Sequence, residues 1–263
     1  MVISDFDGTF GTAPDIVDGE TLKAAKDYIA RGGKFVICTG RMFSSIRRIC
    51  QNCGLTGPVI SYQGAMINDI ESGKSLFTGG LDYNLAAEVT EKLIKENVQV
   101  IVDIDDILYY EQPSGYLHRY ERAVHVTGVK TDSLIRTILE KKRAVQKVAA
   151  ICAEDFALPL TEKYAEEYKG RLLVNNGSAF LVELINPACS KAFSVEYLSK
   201  YYGIGYDKIM AIGDSTNDIE LLSGGWFGVA VGDGREELKR VADEVTVPFK
   251  DKPVKVLIEK YCK

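Results

Sequence analysis

Short apolar runs that stop abruptly at a glycine or an acid, each followed by an amphipathic stretch, constrain this chain most. KFVICTG (residues 34–40) and KIMAIGD (208–214) are of this kind, and so is the opening MVIS, which runs straight into Asp5. They are too short for helices and apolar along their length, the pattern of strands buried on both faces. Between them lie DGETLKAAKDYIARGG, where Leu22, Ala25 and Ile29 share a face and Gly32-Gly33 end the helix, and RMFSSIRRICQNCG, closed by Gly54. PVISYQGAMIND supplies further strand material. Strand and helix in alternation at these lengths predict βαβ units and a parallel sheet. SKAFSVEYLSKYYG, KIMAIGD, NDIELLSGG, WFGVAVG, REELKRVAD and KPVKVLIEKYC repeat the pattern in the last third of the chain.

The middle obeys another rule. Helical stretches (YNLAAEVTEKLIKEN, DSLIRTILEKK, DFALPLTEKYAEEYKG) are interleaved with strands (VQVIVDID, ILYYEQ, QKVAAIC, RLLVNN, SAFLVELI). The alternation of apolar and polar residues in ILYY and FLVELI suits a largely antiparallel sheet with one face covered by helices. The predicted fold class is therefore α/β, a doubly wound parallel sheet formed by residues 1–80 and 187–263. An α+β domain is inserted over residues 81–186, with FTGGLD and INPACS as hinges.

Composition excludes several classes. With 46% hydrophobic and 26% charged residues the chain reads as globular, and a net charge of -5 without a basic stripe argues against a nucleic-acid partner. No apolar run approaches the ~20 residues of a membrane helix, and no signal peptide precedes Asp5, so the expectation is a cytoplasmic protein. Cys50 and Cys53 form a C-x-x-C inside a helical stretch. With no second pair or nearby histidine for zinc, they read as packing residues.

Four places then call for chemistry. Asp5 and Asp7 flank Phe6 just before Gly8, where two acids repel unless a cation or a reaction occupies the spot. Thr39, Gly40 and Arg41 end the second strand. Lys191 opens a helix, where a cation opposes the macrodipole and implies an anion close by. Gly213 and Asp214 end the strand IMAIGD and are followed by Ser215, Asn217 and Asp218. If the four strand ends converge, one pocket gathers four carboxylates, a hydroxyl and a lysine. Hard oxygen ligands at such density favour Mg²⁺.

In order and spacing this set resembles the haloacid dehalogenase-like (HAD) superfamily of phosphohydrolases. DFDGT matches its D-x-D-G-T motif, Thr39 its strand-two Ser/Thr, Lys191 its basic residue and GDSTND its acidic motif. The insertion between the second and third motifs looks like the Cof-type branch (class IIB) with a C2 cap on a Rossmann-like core. The resemblance implies Asp5 as nucleophile, giving an aspartyl-phosphate, and Asp7 as general acid and then base. It implies Mg²⁺ on the Asp5 carboxylate, the Asp7 carbonyl and Asp214, with Asp218 a further ligand or the holder of a metal-bound water. Thr39 and Lys191 would bind phosphoryl oxygens. Asn217 would orient Lys191 or the phosphate, Gly8 and Gly40 would lie beside the substrate, and Arg41 would meet phosphate, cap or rim. The branch has Asn-Gly-Ala where this chain has Gln63-Gly64-Ala65. The implied activity is hydrolysis of small phosphate monoesters, sugar phosphates first, by a monomer or small homo-oligomer.

Other classes also use such residues. A response-regulator receiver has an acidic cluster, Thr and Lys, but its phosphorylated Asp ends a later strand and it carries no insertion of this size. A non-catalytic phospho-ligand sensor would be expected to lack a catalytic group, and none is missing. A phosphomutase would reuse the aspartyl-phosphate, and is told apart by isomerised sugar phosphate in place of released phosphate.

Overall fold

The structure, a computed structural model, describes residues 1–12 and 16–262. The chain opens with β1 (Val2–Ser4), α1 (Gly19–Ala30), β2 (Phe35–Cys38), α2 (Phe43–Asn52), β3 (Pro58–Ser61), β4 (Met66–Asp69) and β5 (Ser75–Thr78). The middle contains α3 (Tyr83–Lys95), β6 (Gln99–Ile104), β7 (Ile107–Tyr110), α4 (Gly115–Val124) and β8 (Val129–Lys130). It continues with α5 (Leu134–Lys141), β9 (Val145–Ile151), α6 (Glu154–Glu167), β10 (Leu173–Ser178) and β11 (Leu181–Ile185). The last part holds α7 (Lys191–Tyr202), β12 (Met210–Gly213), α8 (Ile219–Leu222), β13 (Phe227–Ala230), α9 (Glu236–Lys239), β14 (Glu244–Val245) and α10 (Pro253–Tyr261). The chain divides into two compact units, residues 1–76 with 190–263 and residues 77–189.

The first unit is built on an eight-stranded sheet in the order β14-β13-β12-β1-β2-β3-β4-β5. From β14 to β3 every pairing is parallel. The central strands are buried along their whole length, with Ile3, Val36, Ile60, Ala211, Ile212 and Val229 fully covered. Burying each such valine or isoleucine is worth about 1.5–3 kcal/mol. The predicted parallel sheet thus runs from β14 to β3, and β4 adds to it in the antiparallel sense beside β3. The reversal is made by Tyr62 and Gln63, both at positive φ (51° and 55°), and by Gly64 at 108°. No Asn-Gly or Asp-Gly signal marks this turn in the sequence. Cys50 is buried on α2 and Cys53 caps its end; both are free thiols.

In the second unit the sheet order is β10-β11-β9-β6-β7-β8, antiparallel except where β7 meets β8. Val100, Val102, Val148, Ala150, Val182 and Leu184 form one face, packed with residues of α3, α5 and α6 such as Val89, Leu93, Leu134, Ile138, Leu160 and Tyr164. A fourth helix, α4, is not legible in the sequence, because GYLHRYERAV buries only Leu117 and Tyr120. It bonds to the opposite face, where Lys147 Nζ lies 2.9 Å from the Tyr120 hydroxyl and 3.0 Å from Glu183 Oε1. That face carries the charged row Asp103, Lys147 and Glu183, all buried. Helices therefore lie on both faces of this sheet rather than on one. Among the described residues, no helix is long and apolar enough to cross a membrane.

Gly64 ties the β3–β4 turn to the start of α7. A Cβ there would sit 2.1 Å from the Ser190 carbonyl oxygen, and Ser194 Oγ donates to the Gly64 carbonyl at 3.0 Å. Gly64→Ala is expected to cost about 2 kcal/mol or more, lowering Tm by roughly 4–8 °C for a domain of this size. An unchanged thermal melt would refute the constraint.

Candidate active site

The parallel strands deliver the predicted residues at their carboxyl ends, where open α/β sheets bind ligands. Asp5 follows β1, held by its amide, which donates to the Ile212 carbonyl at 2.9 Å. Thr39 follows β2 with its amide on the Ile60 carbonyl, also at 2.9 Å. Asp214 follows β12, and its carbonyl accepts the Arg235 amide at 2.8 Å. Lys191 is the first residue of α7, placed by the N-cap Ser190, whose hydroxyl accepts the Phe193 amide at 3.2 Å.

Lys191 links these elements. Its Nζ donates to Asp5 Oδ1 and to Asp218 Oδ1, both at 2.6 Å, and all three side chains are buried. The anion expected beside this helix start is thus already supplied by two carboxylates of the chain itself. Burial would depress the Lys191 pKa, but Asp218 and Asp5 outweigh it, so the ammonium stays charged well above the ordinary lysine range. Burial also raises Asp5, against the opposing charge of Lys191.

Asp218 has both oxygens engaged. Oδ1 takes Lys191, while Oδ2 accepts the Asp214 and Ser215 amides at 3.2 and 3.1 Å, closing a capping box with Ser215. It therefore fixes both the lysine and the loop that aims Asp214. Asp214 Oδ1 accepts the Thr9 hydroxyl at 3.0 Å. Burial, then the charge of Asp218, pushes the Asp214 pKa up to about 6. Gly8 makes room for this arrangement: at φ 83°, a Cβ there would lie 2.6 Å from Asp214 Oδ2. One oxygen from each of Asp5, Asp214 and Asp218 falls within 4.8 Å of the others, an all-oxygen triad with three negative charges against one ammonium.

The remaining predicted residues sit around this triad. Arg41 grips Asp7 with two bonds, Nε to Oδ2 at 2.8 Å and Nη2 to Oδ1 at 2.7 Å, and its guanidinium lies 4.9 Å over the Phe6 ring. Thr39 is buried, and its hydroxyl accepts the Arg41 amide at 3.2 Å. A Cβ on Gly40 would meet Gln63 Nε2 at 2.4 Å. Asn217 is exposed and its Nδ2 lies 3.4 Å from Gln63 Oε1, so its recorded bond is to Gln63 and not to Lys191. Sequence reasoning assigned no role to Thr9 or Ser190. Thr9 lay within D-x-D-G-T itself, and Ser190 is an N-cap residue directly before the helix that Lys191 opens.

A sequence profile described as haloacid dehalogenase-like hydrolase matches residues 2–258, and the chain belongs to this family. It is therefore a hydrolase of the HAD class. Among curated relatives, the chloroplastic endoribonuclease YBEY of Arabidopsis thaliana is 28% identical over 262 residues, which is 94% of this chain and 44% of that protein. This chain thus spans less than half of that relative's length. The 5-amino-6-(5-phospho-D-ribitylamino)uracil phosphatase YitU of Bacillus subtilis is 24% identical, over 99% of this chain and 97% of its own. A crystal structure from Thermotoga maritima superposes with a TM-score of 0.86 at 23% identity, covering 98% of this chain and 96% of that one.

Two measurements test the electrostatics. Lys191→Met leaves Asp5 and Asp218 buried without their cation and is expected to cost about 3–5 kcal/mol in a denaturant melt. The second concerns pH. Because the Asp214 pKa rises from 3.8 in the unfolded chain to about 6, its contribution to stability is full below the unfolded value and is lost as pH climbs through 6. Asp103, raised from 3.8 to about 6 chiefly by burial, adds a loss of the same sign. Melts of metal-free protein are expected to show this loss between pH 4 and 6, and Asp214→Asn to flatten part of it. An identical pH profile in Asp214→Asn would contradict the assignment.

Proposed function

We propose that this chain is a Mg²⁺-dependent phosphatase that hydrolyses small phosphate monoesters, sugar phosphates first among them, through an aspartyl-phosphate on Asp5. The observation that carries the reading is the Asp5–Lys191–Asp218 bridge at a strand end, beside an acidic cluster with excess negative charge. A buried carboxylate held in one rotamer by a buried ammonium is a pre-aimed nucleophile. The phosphatase name of the Bacillus subtilis relative, whose substrate carries a phosphoribityl group, supports the substrate class.

The donor set fits Mg²⁺, since every candidate ligand is an oxygen and a dication offsets the net charge of the triad. The Asp5 carboxylate, the Asp7 carbonyl and Asp214 would hold it, with Asp218 behind them. Once bound, the ion neutralises charge on the phosphoryl oxygens. The chain's own groups do the rest. An Asp5 oxygen attacks phosphorus, forming an O–P bond while the bond to the leaving alcohol breaks. Asp7 supplies the proton that the alkoxide needs and then takes one from the water that cleaves the acyl phosphate, which restores Asp5 and frees inorganic phosphate. Lys191 and Thr39 are the chain's donors for the transferring group.

A panel of phosphorylated metabolites, assayed for phosphate release with Mg²⁺ and with chelator, tests this directly. Asp5→Asn is expected to abolish release, Asp7→Asn to lower kcat on alkyl esters at least ~10²-fold, and chelator to silence the wild type. Wild-type rates in Asp5→Asn would end the reading, and isomerised sugar phosphate without phosphate release would make the protein a mutase instead.

A further inference from the structure

Sequence leaves Arg41 between phosphate, cap and rim. The geometry points to a different role: we infer that Arg41 is a positioning residue that fixes the carboxylate of Asp7, an inference that rests on the reaction proposed above.

Asp7 is the least constrained of the acids. It is 49% exposed, stands one residue before the left-handed Gly8, and among the described residues its side chain bonds only to Arg41. An aspartate so placed exchanges among rotamers on its own. Arg41 is the opposite case, at 14% exposed. Its guanidinium stacks over the fully buried Phe6, its amide is bonded to the Thr39 hydroxyl, and its carbonyl accepts the Tyr62 amide at 3.0 Å. Phe6 lies between Asp5 and Asp7, so the surface that seats the guanidinium belongs to the motif that carries both acids.

The contact is also of the right kind. Both carboxylate oxygens are taken, at 2.8 and 2.7 Å, by two donors of one planar fork, which fixes direction as well as distance. The fork uses one lone pair on each oxygen and leaves the other for a proton in flight. A residue whose Nε and Nη2 are committed to a carboxylate is poorly disposed to act first as a phosphate clamp. Since proton transfer requires an approach of roughly 2.6–3.2 Å, letting Asp7 wander by about 1 Å costs on the order of 10²-fold.

This role has a chemical signature, because only some leaving groups need Asp7. An alkoxide must receive a proton as the P–O bond breaks, whereas p-nitrophenolate departs without one. The experiment compares wild type, Arg41→Ala and Arg41→Lys on two substrates. One is the alkyl phosphate that the wild type turns over fastest; the other is p-nitrophenyl phosphate followed by rapid mixing. Arg41→Ala is expected to lose ~10²-fold in kcat on the alkyl ester with KM within about threefold, while the first-turnover burst of nitrophenolate stays within about threefold of wild type. Adding Asp7→Asn to Arg41→Ala is expected to lower alkyl turnover by no more than about twofold further, because the two act as a unit. Arg41→Lys keeps the charge and the stem over Phe6 but has no fork, and is expected to show the same selective loss. It serves if the alanine variant fails to fold.

Equal losses on both esters, or a raised KM with kcat unchanged, would overturn the inference and make Arg41 a phosphate-binding residue. Asp5→Asn separates the two levels of the argument. A nitrophenolate burst that survives in Asp5→Asn would refute the reaction itself, whatever Arg41 does.

Discussion

The bridge from Lys191 to Asp5 and Asp218 is the interaction on which the rest of the catalytic unit depends. It joins the end of β1, the start of α7 and the loop after β12 through two contacts of 2.6 Å. Buried ion pairs return little net stability, because desolvation consumes most of the Coulomb gain, but removing one partner is heavily penalised. The bridge therefore acts chiefly as a specification. Asp218 extends it to the backbone of Asp214 and Ser215, and Asp214 extends it to Thr9. Each acid in the series is oriented by a neighbour that is itself held.

The second unit uses the same chemistry with a different outcome. Lys147 is surrounded by Glu183, Tyr120 and Asp103, all buried, as Lys191 is by its two acids. Asp218 is satisfied by backbone amides, whereas among the described residues neither oxygen of Asp103 meets a hydrogen-bond partner of good geometry, and the Lys147 ammonium stands 3.4 Å from its Oδ2. Burial accordingly pushes the Asp103 pKa up to about 6. The acid behind Lys191 has both oxygens bonded, while the one beside Lys147 retains unmet acceptors, and a buried acid with unmet acceptors carries a desolvation cost that a satisfied one avoids.

What could be read from the sequence was whatever local chemistry determines. The buried strands announce themselves as unbroken apolar runs, and their ends as Asp, Thr-Gly and Gly-Asp, so the positions of Asp5, Thr39 and Asp214 follow from position along each run, and that of Lys191 from the helix it opens. Three features were not legible. The Asp7–Arg41 fork joins residues 34 positions apart, and nothing in the spacing tells an arginine that grips a carboxylate from one that grips a phosphate. The β3–β4 reversal is forced onto Tyr62 and Gln63 by the fold, against their backbone preference. Helix α4 packs with two residues on a charged face, which reads as a solvated surface in any pattern based on hydrophobicity.

The place of β1 in the sheet has a consequence for biosynthesis. Of the strands of its sheet it is the first made, and its neighbours are β2, about thirty residues on, and β12, which begins at residue 210. Until the ribosome has delivered Lys191 and Met210–Gly213, Asp5 has no cation and one edge of β1 has no partner. The nascent chain must carry an open, apolar sheet edge while the whole contiguous inserted segment is synthesised, and that segment has every strand of its own sheet before β12 emerges. The order of synthesis thus favours completion of the inserted fold first. A product cut short before residue 210 retains Asp5 and Asp7 but exposes the strand edge through which incomplete sheets associate with one another.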